Sequence, residues 1–539
     1  MQMMNLHTIT NVRTLSLLLG IAFGATSCTD NFLSYNTNPN EATSAMADWD
    51  NVRTGSLLLQ MEQNVLVVAQ SGLDIGTDRY QTVEVMGGDG FVGYFGFPAP
   101  SINSAGRYNW DKRSWYGDMF TTNYTTTMNA WREIRNTVDN DEDPRFSLAQ
   151  ILKVAAMHRV TDTYGPIPYL SFGVSKEVPY DSQKDVYYRF FEELDSAIAN
   201  LESYAAAGTK VLSSWDCVYN GDVTAWIKFA NSLRLRLAMH LACIDEAKAK
   251  SEAELAMSNS YGLMSTTTDQ AELQHITPIA TYESPLYIIK GWDDICMGAT
   301  IDSYMNGYQD PRRAAYFETA DDGVYRGIRA GMSKYISKDK YITGSFSQPQ
   351  AGATSNVVWM RASESYFLLA EYALRWGSAA DARQYYESGV RMSFDENSVS
   401  GADAYLTRTA TDGYVPANYV DPVTSSYSHD ALGTISVAWD DTADFATNLE
   451  RIITQKYLAL FPVGQEAWTE FRRTGYPKVF PVAVNESSGG SVDTDIQIRR
   501  LPYPESEYNT NRTELDKGIA LLGGVDNAGV RLWWDVANK

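Results

Sequence analysis

The chain has 539 residues, 44% of them hydrophobic and 20% charged, a balance that suits a folded globular protein with a large buried core. Its formal net charge is −22 at pH 7, a field that repels a phosphate backbone and excludes nucleic acid as a partner. Aromatics make up 12%, led by 34 Tyr and 13 Trp, and both residue types suit amphipathic ligands.

Residues 1–27 read as a signal peptide. Arg13 supplies the positive start, and 15–25 (LSLLLGIAFGA) is an apolar run too short to span a bilayer. Ala25, Thr26 and Ser27 then lead into Cys28. This resembles a lipobox, where the chain is cut before Cys and the thiol takes a diacylglycerol, although Ala25 stands where Leu is usual. No later stretch is apolar enough to span a bilayer, so the expected mature protein is lipid-anchored rather than embedded. Residues 28–50, rich in Asn, Pro, Thr and Ser, are expected to form the tether, and 51–539 the working domain. Cys217, Cys243 and Cys296 form no CxxC or Cys/His motif and are expected to be core thiols.

Helical periodicity begins at 55–70 and breaks over 86–117, where Gly, Pro and aromatics crowd together. It resumes at 121–138, 147–165, 185–204 and 222–242. Between the first two of these, Asp139, Asp141 and Asp143 resemble the start of a calcium loop. Pro144 stands where that loop needs Gly and Gln150 where it needs Glu, so a capped turn between helices is expected instead. Residues 265–350 are again irregular. In 357–394, Ala370, Ala382, Tyr386 and Gly389 fall at the small, small, aromatic and small positions of a tetratricopeptide helix pair. A further helix is expected over 448–464. The expected class is mainly α: tetratricopeptide-like helix pairs with long irregular, loop-rich insertions that carry recognition.

Several runs, in order, resemble the SusD/RagB family of nutrient-binding outer-membrane lipoproteins. They are NTNPN (36–40), DGFVGYF (89–95), NYTTTMNAW (123–131), RVTDTYGPIPY (159–169) and GDVTAWIKFANSLRLRLAM (221–239). QDPRRAAYF (309–317), EAWTEFRRTGYP (466–477), RRLPYPESEYNTN (499–511) and LWWDV (532–536) come after them. The resemblance covers nearly all of the mature chain. It implies a helical domain with tetratricopeptide-like pairs on one side and a loop-rich side that binds glycans or, in some members, peptides. It also implies a SusC-like TonB-dependent transporter as partner, on which the protein sits as a lid at the outer surface of the outer membrane. It transfers no particular ligand.

Neither GxSxG, HExxH nor a Gly-rich phosphate loop occurs. His158, His240, His275 and His429 share no metal-ligand spacing. No catalytic residue, metal or cofactor is therefore expected; a surface glycosidase, which would need two carboxylates flanking one bond, is the rival reading. The Arg472/Arg473 and Arg499/Arg500 pairs are expected to be structural, ion-paired with carboxylates such as Glu466, Glu470 and Glu505. The aromatics carry the positive case, because a flat ring stacks on the C–H face of a sugar at little entropic cost. Phe91, Tyr94 and Phe95 are expected to hold the Gly-rich loop together. Trp110, Tyr287 and Trp292 are the leading ligand-stacking candidates, with Asp293 accepting hydroxyl hydrogen bonds and Phe97, Tyr108 and Trp115 beside them. A neutral oligosaccharide is the expected ligand of so acidic a chain, with a peptide as the alternative.

The anchor makes a direct prediction. Cys28→Ala removes the only thiol the lipid can use at that cleavage site. Cell fractionation should find the variant released from the membrane fraction with its fold intact; a variant that still sediments with outer membranes contradicts the anchor.

Overall fold

The computed structural model describes residues 51–68, 75–99, 104–110, 113–174, 177–336, 340–341, 343–537 and 539. Cys28 and the 28–50 tether lie outside these residues. The chain divides after Arg53, and the unit Thr54–Lys539 holds nearly all of the described residues.

Helix α1 runs over Val52–Val65 and α2 over Asn129–Thr137. The segment expected as one helix over 121–138 is three continuous turns of different pitch: Asp118–Thr122, a wide π-turn Asn123–Met128, then α2. The long helices α3 (Pro144–Tyr164), α4 (Gln183–Ala206), α5 (Val223–His240) and α6 (Glu246–Ser258) start where a short acceptor side chain precedes them. Asp143 accepts from Arg145 N at 2.8 Å, Ser182 from Asp185 N at 3.1 Å and Asp222 from Thr224 N at 2.9 Å. Each satisfies an amide that the first turn leaves unpaired. The DNDEDP turn is thus a capped junction, with Asp141 paired to Arg135 and Asp143 to Arg145.

The short surface helix α7 spans Pro285–Gly291. The 357–394 segment opens differently from expectation, as a strand over Val357–Met360, and then forms α8 (Ala362–Trp376) and α9 (Ala379–Glu396). Helix α10 lies at Phe445–Leu460 and α11 at Gly464–Thr474. Helices α3 and α4, α5 and α6, and α8 and α9 pack as successive pairs, with α10 laid against α8. In the last pair Ala370, Ala382 and Tyr386 are fully buried. A Cβ on Gly389 would sit 3.0 Å from the Phe367 ring, so the small residues mark real close approach.

Strands are few and short. β1 (Phe95–Gly96) pairs antiparallel with β3 (Cys296–Met297), with Phe95 opposite Met297. β2 (Ala271–Leu273) pairs antiparallel with β4 (Val357–Met360), with Leu273 opposite Val357. Among the described residues no helix is long and apolar enough to cross a membrane. Cys217, Cys243 and Cys296 are free thiols, the first and last of them buried.

The centre of the unit is charged. Arg236 of α5 lies 2.5 Å from Glu364 of α8 and 3.7 Å from Glu466 of α11. Lys456 of α10 reaches Glu470 at 3.1 Å, Glu364 at 3.5 Å and Glu466 at 3.6 Å. Arg473 of α11 pairs with Glu470 and with Glu371 of α8, which Arg375 also holds. The Arg pairs noted in the sequence are indeed structural, and Arg473 meets the expected Glu470, but the other three have different partners. Arg472 donates to the main-chain oxygens of Asp162 and Arg499 and stacks 3.5 Å from the Trp468 ring centre. Arg499 pairs with Asp535 and Arg500 with Asp526, rather than with Glu505.

A second buried group is a carboxyl pair. Glu62 of α1 accepts from Cys217 N at 3.0 Å, while Asp216 accepts from Val218 N, Gly221 N and Trp226 Nε1. Burial, then the neighbouring Asp216 carboxylate, pushes Glu62 well above its ordinary 4.5. The protonated acid can donate its hydrogen from Oε1, which has no other partner among the described residues, to the Asp216 carboxylate.

This packing makes two predictions. Ala382→Trp overfills the α8–α9 contact and should cost about 1–3 kcal/mol or more, read as a lowered thermal midpoint; a midpoint equal to wild type means that the pair does not pack this way. Glu62→Gln replaces an acid that holds its proton more tightly when folded than when unfolded. A raised folded value means that the group's contribution is whole below 4.5 and is lost as pH rises toward the folded value. The variant should therefore be more stable than wild type at pH 7 in urea unfolding, with the gain vanishing below pH 4.5. A gain independent of pH contradicts the shared proton.

Candidate ligand-binding face

The two irregular stretches, some 200 residues apart in sequence, meet at the β1–β3 pair. Four backbone segments converge there. Gly298 N donates to Tyr94 O at 2.9 Å, Ile328 N to Met297 O at 2.8 Å and Met297 N to Ser347 O at 2.7 Å. Glycine makes this possible: a Cβ on Gly298 would lie 2.2 Å from Gly93 O, and one on Gly96 2.5 Å from Ile328 O. The Gly-aromatic run is accordingly core. Phe91, Tyr94 and Phe95 are buried, with Tyr94 stacked 4.7 Å from Tyr457 and Phe91 5.0 Å from Trp468.

Phe97 and Tyr108, expected beside the ligand, are also buried. Tyr108 ends the turn Ala105–Arg107 in the left-handed region at φ 61°. Their rings are spent on packing, because a Gly-rich loop has too few side chains of its own to make a core without them. Trp110 is half-buried, edge-on to Tyr116 at 5.4 Å. Tyr116 in turn holds Ser104 Oγ and Ala105 N, both at 2.9 Å. The Trp110 indole N–H meets no acceptor among the described residues. Trp115 is 37% exposed.

Helix α7 and the residue after it bring two further rings to solvent. Pro285 opens it, Ser284 N donates to Ala353 O at 2.8 Å and Ile289 is its fully buried anchor. At its end Trp292 N donates to Ile288 O and Ile289 O, and Asp293 turns the chain at φ 59°. Gln81 Nε2 donates to Asp294 Oδ2 at 3.0 Å and Lys290 pairs with Glu318 at 2.5 Å. Held at these points, α7 leaves Tyr287 43% and Trp292 37% exposed. The Asp293 carboxylate is exposed beside Trp292 and accepts only a long 3.4 Å contact from Gln348 Nε2 among its described neighbours.

One exposed ring had no signal in the sequence. Tyr335 is 85% exposed in the 330–335 loop, with Lys334 Nζ 5.5 Å from its ring centre. That loop and the turn carrying Trp110 are stitched to one segment: Val484 N donates to Gly331 O at 2.8 Å and Glu486 N to Arg107 O at 2.7 Å. Tyr335 is a lone aromatic between Lys, Ser and Ile, so its exposure depends on this remote stitching rather than on local pattern.

Buried carboxylates offer a different chemistry. His240, Glu466 and Glu470 stand close enough to share a cation. Lys456, Arg236 and Arg473 already face those carboxylates, so a divalent ion would meet three positive charges. The close pair Glu62 and Asp216 is enclosed in the core, where no sugar can reach it.

Comparison with known proteins gives matches over most of the chain. The family model described as SusD-like, "Susd and RagB outer membrane lipoprotein", matches residues 34–535. A chitin-binding SusD homologue from Flavobacterium johnsoniae is 38% identical, with a TM-score of 0.83 over 90% of this chain and 99% of its own. A SusD homologue from Bacteroides thetaiotaomicron is also 38% identical, with a TM-score of 0.81 over 90% of this chain and 99% of its own. One from Bacteroides vulgatus is 34% identical, with a TM-score of 0.84 over 91% and 99%. A search of curated proteins gave no match.

Proposed function

This chain belongs to the SusD-like family of outer membrane lipoproteins, and from that premise we propose that it captures a neutral oligosaccharide and passes it to a SusC-like transporter. The observation that carries the reading is α7: in a chain that buries most of its large rings, this short helix holds Tyr287 and Trp292 out to solvent with Asp293 beside them. Exposed rings next to a carboxylate are the chemistry that a pyranose needs, a flat apolar face and an acceptor for edge hydroxyls. A lipid on Cys28 would keep the protein at the outer membrane, with 28–50 as its tether and 51–539 as the binding domain. The chitin-binding Flavobacterium relative, at 38% identity over nearly its whole length, makes β-linked N-acetylglucosamine chains the first ligand to try. In this reading the role is binding without catalysis, in keeping with the family of lipoproteins to which the chain belongs.

Trp110, with its half-buried ring and unpaired indole N–H, and Trp115 are secondary contacts in this reading; Tyr335 joins them as a third. Phe97 and Tyr108 support the loop from beneath. With a neutral ligand, no charge pair crosses the interface and affinity should hardly respond to salt.

Calorimetry with chitohexaose tests this. Trp292→Ala should weaken binding by about 2 kcal/mol, and Tyr287→Ala by a similar amount, with folding unchanged. Affinity equal to wild type in both variants places the site elsewhere. Shortening of the oligosaccharide during the titration would show catalysis instead of capture.

A further inference from the structure

A cavity lies away from α7, lined by none of its residues. It is an open groove of about 390 Å³ where α2, α3, α4 and the turn after Tyr169 come together. That volume falls within the ordinary range for small-molecule sites. Its apolar wall is aromatic, with half-buried Trp131 and Phe172 facing the groove over a buried Tyr169, and Leu170 beside them is 42% exposed.

The charges in the groove cancel locally. Lys153 is buried with its ammonium 2.7 Å from Glu193, between the Trp131 ring at 3.9 Å and the Tyr169 ring at 4.6 Å. Arg189 lies 3.3 Å from Glu192, and Arg135 pairs with Asp141. Three cations face three carboxylates, so the groove offers no net charge to a polyanion or a polycation. It does offer ion-paired planar groups with unused donors and acceptors, and Gln150, Ser196 and Asn200 among them. Gln150 Oε1 is taken by the Trp131 indole N–H, which leaves its amide N–H groups to donate.

From this combination we propose that the helical side of the protein holds a second binding site, for a neutral oligosaccharide, in the groove between α2, α3 and α4. A sugar's C–H face lies on the aromatic wall, and its hydroxyls bond to the paired side chains and amides of the rim. The site shares no residue with α7, so it stands whether or not Tyr287 and Trp292 bind a ligand.

The test uses the full chain carrying 5-fluorotryptophan, read by fluorine NMR. Trp131→Phe and Trp292→Phe assign the two reporter resonances. The probes are xylohexaose, maltohexaose, cellohexaose and chitohexaose at millimolar concentration, with hexagalacturonate as an anionic control. At least one neutral hexaose should shift the Trp131 resonance, and the shift should persist in Tyr287→Ala/Trp292→Ala. Ser196→Trp, which puts a bulky ring into the groove at an exposed position, should abolish it. A Trp131 resonance unmoved by all four neutral probes, or moved only by hexagalacturonate, overturns the proposal. So does a Ser196→Trp variant whose one defect is lost co-purification with an outer-membrane protein, which would make the groove a docking face. The Trp292 resonance reports separately on the α7 platform, so failure there is distinguishable from failure here.

Discussion

A charge buried away from water must be paired, and in this protein that requirement ties four helices together. Arg236 on α5, Glu364 and Glu371 on α8, Lys456 on α10, and Glu466, Glu470 and Arg473 on α11 form one enclosed group. No helix carries a complete set, so none can shift without leaving a buried ion unpartnered, a change that typically costs about 3–5 kcal/mol. Burial alone would raise the Glu371 carboxyl, but Arg473 and then Arg375 beside it pull it to about 2. The Glu371 carboxylate is therefore ionised at neutral pH and holds its two guanidinium partners. His240 and Tyr187 extend it to Asp162 on α3, which also accepts from the Trp534 indole at 2.9 Å, bringing in the end of the chain.

That fixed frame is what allows the irregular segments to be long. Each is attached to the helices or to another loop at points where backbones nearly touch, as Gly298 does at Gly93 and Gly464 at Asp89. The attachments consume most of the loop aromatics. What remains exposed is a small set of rings on short elements, and α7 holds two of them without a flexible linker. A platform pre-set in this way loses little freedom when a ligand stacks on it. The groove between α2, α3 and α4 has the same character, since Trp131 and Tyr169 are already fixed around Lys153.

The helical scaffold was legible because its signals are local. The turn at 139–144 read as a capped junction and is one, through Asp143, and Ala370, Ala382, Tyr386 and Gly389 read as a packed helix pair and form one. Legibility ended where contacts cross the chain. Nothing near residue 97 or 108 announces that distant segments will cover them, such as Met297 opposite Phe95 and Ile498 against Tyr108, so Phe97 and Tyr108 looked as accessible as Trp292. Arg500 seemed close to Glu505 but pairs with Asp526, and Glu62 gives no local hint that Asp216 will share its proton. The strand at Val357–Met360 was hidden because its partner, Ala271–Leu273, lies far upstream. Composition shows that aromatics gather in loops; only long-range packing decides which of them face water.

The central claim is a division of labour between a locked, ion-paired frame and a pre-set aromatic platform. Amide hydrogen exchange measured with and without a bound oligosaccharide tests both halves in one experiment. The account predicts near-global protection of α8, α10 and α11 in the free protein, unchanged by ligand, with new protection at 284–294. Fast exchange in those three helices, or ligand protection that leaves 284–294 untouched, would contradict it.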